Sequence, residues 1–243
     1  MDAKGKVALL TGGARIGQVV AQSLATLGCD LALVYRGSRE AAEASAKAAT
    51  SAGVRAITIH ADATDKDQVA ATVNEAHHAL ARIDILVNMA SVYLRTPKPD
   101  LADWSHIMDA NARSVFLFSS AAAPVMRHGD GGRIINFADW LPASSRPHYP
   151  GFVPYYSSKA AVIALTESLA VELAPEILVN AIAPGPILAP PDLTPEEDSE
   201  VIKATPLRRW GGAAEIAKTV RFLIDSDFVT GECIRVDGGR HLY

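Results

Sequence analysis

Cysteine is scarce: Cys29 and Cys233 are the only two in 243 residues and stand far apart. That spacing excludes a disulfide framework and leaves two reduced thiols as the expectation. Charge of one sign is scarce as well. Lys and Arg total 23 against 27 Asp and Glu, a net charge of −4, so no basic field invites a nucleic acid. No apolar run reaches the ~18 residues of a membrane span without charge or turn signals. The opening Met1-Asp2-Ala3-Lys4-Gly5-Lys6 lacks the apolar core of a signal peptide. A cytoplasmic protein with no membrane partner is expected. The 7 histidines are scattered, and His77 and His78 are adjacent rather than four apart, so no metal site is expected.

Apolar residues are plentiful, at 49%, enough to build a large core. Short apolar runs at 7–10, 31–35, 56–59, 83–88, 133–137, 178–182 and 233–236 read as strands. Between them the spacing is helical: Ile16, Val19, Val20, Leu24 and Leu27, then 39–52, 65–80, one long helix over 101–126, a helix carrying Tyr155 to about 173, and 216–223. Strand and helix alternate throughout, which predicts an α/β domain, a parallel sheet with helices on both faces joined by right-handed crossovers. No repeat and no linker divides residues 1–243, so a single domain is expected. Pro184, Pro186, Pro190, Pro191 and Pro195 crowd one segment, and 186–210 reads as a surface loop covering a substrate cleft.

Thr11-Gly12-Gly13-Ala14-Arg15-Ile16-Gly17 joins the first strand to the first helix. Glycines there let the backbone approach a diphosphate, and the helix N-terminus offers unpaired N–H groups and a positive dipole end. Sites that take NAD place an acid ~20 residues on, at the end of the second strand. Here Tyr35-Arg36-Gly37-Ser38 stands at that place, with no acid before Glu40. Arg36 with Ser38 suits a ribose 2′-phosphate, and Arg15 could reach the same group, so NADPH/NADP is the expected cofactor.

Tyr155 and Lys159 are four apart on a helix and share one face. An ammonium beside a phenol lowers a pKa that starts near ~10, which would make Tyr155 a proton donor usable near neutral pH. Asp139 stands upstream in Phe137-Ala138-Asp139-Trp140. An ionised carboxylate cannot donate to a carbonyl oxygen; it suits a substrate that presents N–H donors. Asp139 could otherwise serve as a helix or turn cap.

These motifs, in order, resemble the short-chain dehydrogenase/reductase family over nearly the whole chain: Thr11-Gly12 with Gly17, Asp62, Asn88-Met89-Ala90-Ser91, Asn111, Tyr155 with Lys159, Pro184-Gly185 with Ile187, and Val236-Asp237-Gly238-Gly239. The resemblance implies a Rossmann-type doubly wound sheet of seven strands, hydride transfer with a nicotinamide cofactor, and a homotetramer. It also implies roles. Asp62 and Ala63 would border the adenine, Asn88 and Ala90 the ribose. Lys159 would hold the nicotinamide ribose, Asn111 would bind a water feeding protons to Lys159, and Ile187 would touch the carboxamide. Two departures stand out. The glycine loop is one residue shorter than the family's, and Asp139 replaces the family serine, with Asp139 and Tyr155 about three residues further apart than usual.

Asp139, Arg15 and Tyr93 after Asn88-Met89-Ala90-Ser91 are similar to the pteridine-reductase branch, which uses such an aromatic to sandwich a pterin. Ser91, Tyr93, Asp139, Trp140 and Leu188 form the expected substrate-facing set. The expected function is an NADPH-dependent reductase of a C=N or C=O carbon, with a pterin-like heterocycle as substrate. The alternatives are a carbonyl reductase for a 3-oxoacyl thioester or small ketone, and a non-catalytic NADP(H)-sensing protein.

Overall fold

In the computed structural model all residues are described except 13, 146–148, 192 and 243. The strands are β1 (Val7–Thr11), β2 (Asp30–Tyr35), β3 (Ala56–His60), β4 (Ile85–Asn88), β5 (Gly132–Phe137), β6 (Ile177–Pro184) and β7 (Cys233–Val236). They form one seven-stranded sheet in the order β3-β2-β1-β4-β5-β6-β7, and every neighbouring pair is parallel. The helices α1 (Ile16–Thr26), α2 (Arg39–Ser51), α3 (Lys66–Leu80) and α7 (Val153–Leu173) lie where periodicity predicts them. The last helix, α9 (Ala213–Asp225), contains the expected 216–223.

Strand alternation sorts the core into two layers. In β1, Ala8 and Leu10 face the layer of α1 and α9, where Val20, Leu24, Ile216, Val220 and Ile224 are buried. Val7 and Leu9 face the opposite layer, with Val69 and Val73 of α3 and Leu173 of α7. Because both faces are covered, the central strands are apolar without interruption. Each Leu or Val sealed this way contributes roughly 1.5–3 kcal/mol.

Two elements differ from expectation. The single helix over 101–126 is instead α4 (Leu101–Met108), a π-helical turn at Asp109–Arg113, and α5 (Ser114–His128). The π turn inserts a residue into the helical register and carries Asn111, which is fully buried. The segment 186–210 is not a plain loop, because residues Pro195–Lys203 form α8. Thr194 caps its start, accepting from the Glu197 N–H while the Glu197 carboxylate accepts from the Thr194 N–H.

Sheet order reverses between β1 and β4, and parallel sheets open a crevice beyond the strand ends at such a point. Thr11 fixes its width. The Thr11 Oγ1 accepts from Met89 N at 3.1 Å and Ala90 N at 3.2 Å, tying the ends of β1 and β4 together.

Candidate active site

The crevice consists of two adjoining cavities that share Gly12, Ala14, Met89 and Ser91. The first, of about 330 Å³, is lined by Tyr35, Arg36, Ser38, Asp62, Ala63 and Ala90 among others. The second, of about 370 Å³, is lined by Arg15, Ile16, Gly17, Tyr93, Phe137, Pro184, Gly185, Ile187 and Leu188. The glycines at the junction are sterically required. A Cβ on Gly12, whose φ is +79°, would sit 2.8 Å from Ala90 N, and one on Gly17 would sit 2.6 Å from the Gly12 carbonyl oxygen. The first turn of α1 holds no acidic residue, so its N–H groups and dipole are open to an anion. A long groove with a glycine floor, an open helix N-terminus midway and an arginine at one end fits a dinucleotide phosphate.

At that end Arg36 pairs with Asp62, Nη1 to Oδ2 at 3.5 Å. Hydrogen bonds from Thr64, aided by Arg36, hold the Asp62 carboxyl below its ordinary range. Ser38 precedes α2, and its hydroxyl makes no capping bond, so it is available to a ligand. Arg15 is not there. It stands at φ 53° and its Nη2 donates to the Ala189 carbonyl at 3.3 Å, in the other half of the groove. The expectation that Arg15 joins Arg36 is therefore corrected: the turn sends its side chain across to the segment after β6.

Asn88 also differs from expectation. It is 3% exposed and faces into the sheet, with Nδ2 on Asn136 Oδ1 at 2.9 Å and near Ser119 Oγ at 3.3 Å. It supports the crevice from below and does not line the ribose side, whereas Ala90 does line the groove.

The reactive half is built from β5, α7 and α6 (Trp140–Ala143), a short helix that the sequence reading missed. Asp139 caps α6, with Oδ1 accepting from Leu141 N at 2.8 Å, and its Oδ2 accepts from the Tyr155 hydroxyl at 2.9 Å. Asp139 is thus a helix cap and also a direct partner of Tyr155. Lys159 is 3% exposed and its Nζ donates to the Phe137 carbonyl at 2.8 Å. Asn111 receives Val92 N–H at 2.7 Å and Ser91 Oγ–H at 3.1 Å, and donates to Ser158 Oγ at 3.0 Å, beside Lys159. Its amide is thus committed to the Ser91–Val92 segment and to Ser158.

Electrostatics reverse one expectation. Tyr155 is not lowered by Lys159; burial and the Asp139 charge push the phenol well above its ordinary value. Burial likewise raises the Asp139 carboxyl, against the opposing pull of Leu141 N–H, Tyr155 and Lys159. Burial pulls the Lys159 ammonium down to about 8. The phenol's nearest partner is an acid, and burial and that charge both favour its protonated form.

Tyr93 forms the outer wall. It meets Tyr155 edge-on, ring centroids 4.7 Å apart, and stacks on Phe152 at 4.9 Å and 21°. Phe152, also missed from sequence, lies three residues before Tyr155 and outside any motif. Trp140 turns toward the C-terminal segment, where the Arg240 guanidinium lies 5.7 Å from its ring. Among the described residues no group of three His, Cys, Asp or Glu side chains comes together to hold a metal, and no helix is long and apolar enough to cross a membrane.

This geometry defines a dinucleotide-dependent oxidoreductase. The family profile described as enoyl-(acyl carrier protein) reductase matches residues 13–241. The 3-oxoacyl-[acyl-carrier-protein] reductase FabG of Staphylococcus aureus is 36% identical over 247 residues, covering 98% of each chain. A short-chain dehydrogenase/reductase from Serratia marcescens superposes with a TM-score of 0.91 at 35% identity, covering 99% of this chain and 100% of that one. A blue fluorescent protein from a metagenomic library, solved in complex with NADPH, superposes at 0.90 with 35% identity and 99% coverage of both. The chain belongs to the short-chain dehydrogenase/reductase family and is an oxidoreductase of that type. None of these relatives is described as a pteridine reductase, and the narrower resemblance to that branch is not shown.

Proposed function

We propose that the protein is an NADPH-dependent carbonyl reductase acting on a 3-oxoacyl thioester or a small ketone, and that it works in the cytosol. The reading is carried by Tyr155, which stands against the Tyr93 wall of a groove with Arg36 at its far end, and the likeness to 3-oxoacyl-[acyl-carrier-protein] reductases supports the substrate class. Arg36 and Ser38 would hold the 2′-phosphate, Gly12, Ile16 and Gly17 the diphosphate, and Pro184, Gly185 and Ile187 the nicotinamide end. When bound, the dinucleotide supplies hydride. Tyr155 holds the proton that the substrate oxygen takes up. Lys159, buried and fixed on the Phe137 carbonyl, places positive charge beneath α7. Tyr93 and Leu188 wall the pocket against water.

A pterin substrate is the second reading. It is favoured by Asp139, a hydrogen-bond acceptor beside Tyr155 where a carbonyl oxygen would need a donor. The expected order, pterin first and thioester second, is reversed by the relatives. The test is NADPH oxidation with acetoacetyl thioester and dihydrobiopterin in parallel. Thioester turnover should appear and should fall ~10²–10⁴-fold in Tyr155→Phe. Pterin turnover alone would give the second reading first place.

A further inference from the structure

A carbonyl and an iminium ask opposite things of the group beside the proton donor. Reducing a carbonyl gathers negative charge on oxygen, which a neighbouring carboxylate repels and an O–H donor stabilises. Reducing an iminium removes a positive charge, which a carboxylate attracts while it lasts. In this chain the group beside Tyr155 is Asp139, 2.9 Å away through Oδ2. Tyr155 in turn meets Tyr93 edge-on at 4.7 Å, and Tyr93 stacks on Phe152 at 4.9 Å. A carboxylate with aromatic rings near it makes a berth for a flat cation.

The charged and titratable groups around Asp139 are few. From α7 come Tyr155 and Lys159, the latter held on the Phe137 carbonyl. Tyr93 comes from the segment after β4. From the C-terminal segment, Arg235 reaches the Ala143 carbonyl and Arg240 the Trp140 ring, both on α6. Burial also brings the carboxyl's protonation nearer to neutral pH than for an exposed acid.

We propose that this site also reduces flat cyclic iminium ions, with ionised Asp139 holding the cation beside the Tyr155 hydroxyl, and that protonation of Asp139 turns the same site toward neutral carbonyls. With a reduced nicotinamide dinucleotide as reductant, one C–H bond forms at the iminium carbon. The C=N π pair becomes the nitrogen lone pair, and Tyr155 keeps its proton. With a ketone, the π pair goes to oxygen and the Tyr155 proton follows it. The proposal rests on the reductase reading above and extends it to a different substrate class.

The test pairs N-methyl-3,4-dihydroisoquinolinium, whose charge is permanent, with 1-tetralone, a neutral molecule of similar outline. NADPH oxidation is followed below the Lys159 value of about 8, so that Lys159 stays charged. The iminium kcat/KM should rise with pH and the tetralone kcat/KM should fall. Asp139→Asn keeps an acceptor for the Leu141 N–H, so α6 stays capped. In that variant iminium turnover should drop at least ~10-fold and its pH dependence should flatten. Calorimetry without dinucleotide should find N-methyl-tetrahydroisoquinolinium binding more tightly as pH rises in the wild type, and losing that binding in Asp139→Asn. Tetralone reduction with an inert iminium, or cation binding indifferent to pH and to Asp139, overturns the inference and leaves the reductase reading standing. NADPH binding with neither compound reduced overturns both.

Discussion

Arg36 makes the sharpest residue-scale prediction. Its guanidinium rests 3.5 Å from Asp62 across the mouth of the adenosine cavity, an exposed pair that a phosphate with its greater charge and bidentate geometry would displace. Arg36→Ala should weaken NADPH ~10–100-fold and leave NADH nearly unchanged, as read by quenching titration of the two dinucleotides. Equal losses for both would place the 2′-phosphate elsewhere. At this scale the placement of two residues was legible in the sequence: Arg36 lines the groove beyond β2, and Asp139 stands beside Tyr155. Residues whose role depends on side-chain direction were not. Arg15 leaves a turn at φ 53° and crosses to Ala189, and Asn88 faces the buried Asn136; no sequence distance encodes either direction. The Tyr155 pKa was misjudged for the same reason. Four-residue spacing predicted an ammonium neighbour, while folding brought Asp139 to the hydroxyl from 16 residues away.

Among the elements, strands buried on both faces were the easiest to read, because uninterrupted apolar runs leave little choice of structure. The π turn at Asp109–Arg113 was invisible because one added residue does not disturb an apolar stripe. The helix α8 was overlooked for another reason. Proline density argued for a loop, yet Pro195 stands in the first turn of a helix, where its missing N–H costs nothing, and Thr194 with Glu197 forms a capping box. No residue of α8 is buried, so its order depends on this cap and on Trp210, whose Nε1 donates to Asp198 at 2.7 Å. Thr194→Ala should cost the helix about 0.5–2 kcal/mol. Hydrogen exchange over 195–203 should accelerate while the overall melting temperature barely moves. A large drop in melting temperature would mean that α8 belongs to the cooperative core.

Over the whole molecule, the surface retains large apolar side chains that the core does not need. Leu101 is 84% exposed and Val171 83%, and Trp104 on α4 and Phe116 on α5 are exposed as well. Charge is too balanced to hold copies apart. We propose the homotetramer that the family resemblance implies, with these helices in contact. Light scattering at micromolar concentration should return about four times the 25.7 kDa chain mass; a monomer would overturn it. The fold itself was legible at this scale because strand–helix alternation has few topological solutions.

The two cavities of the crevice draw their distinctive residues from different stretches of chain. The adenosine end takes Tyr35, Arg36, Ser38 and Asp62 from the ends of β2 and β3. The reactive end takes Tyr93 from the segment after β4 and Phe137, Asp139, Phe152 and Tyr155 from β5 onward. The two meet at Gly12, Ala14, Met89 and Ser91, with Thr11 holding the Met89–Ala90 turn. Arg36 and Asp139, the residues proposed to set dinucleotide and substrate preference, therefore lie on opposite sides of β4 in the chain. A crossover between β4 and β5 could exchange one trait without disturbing the other, and lineages on this scaffold are free to diversify what they reduce while keeping their source of reducing power.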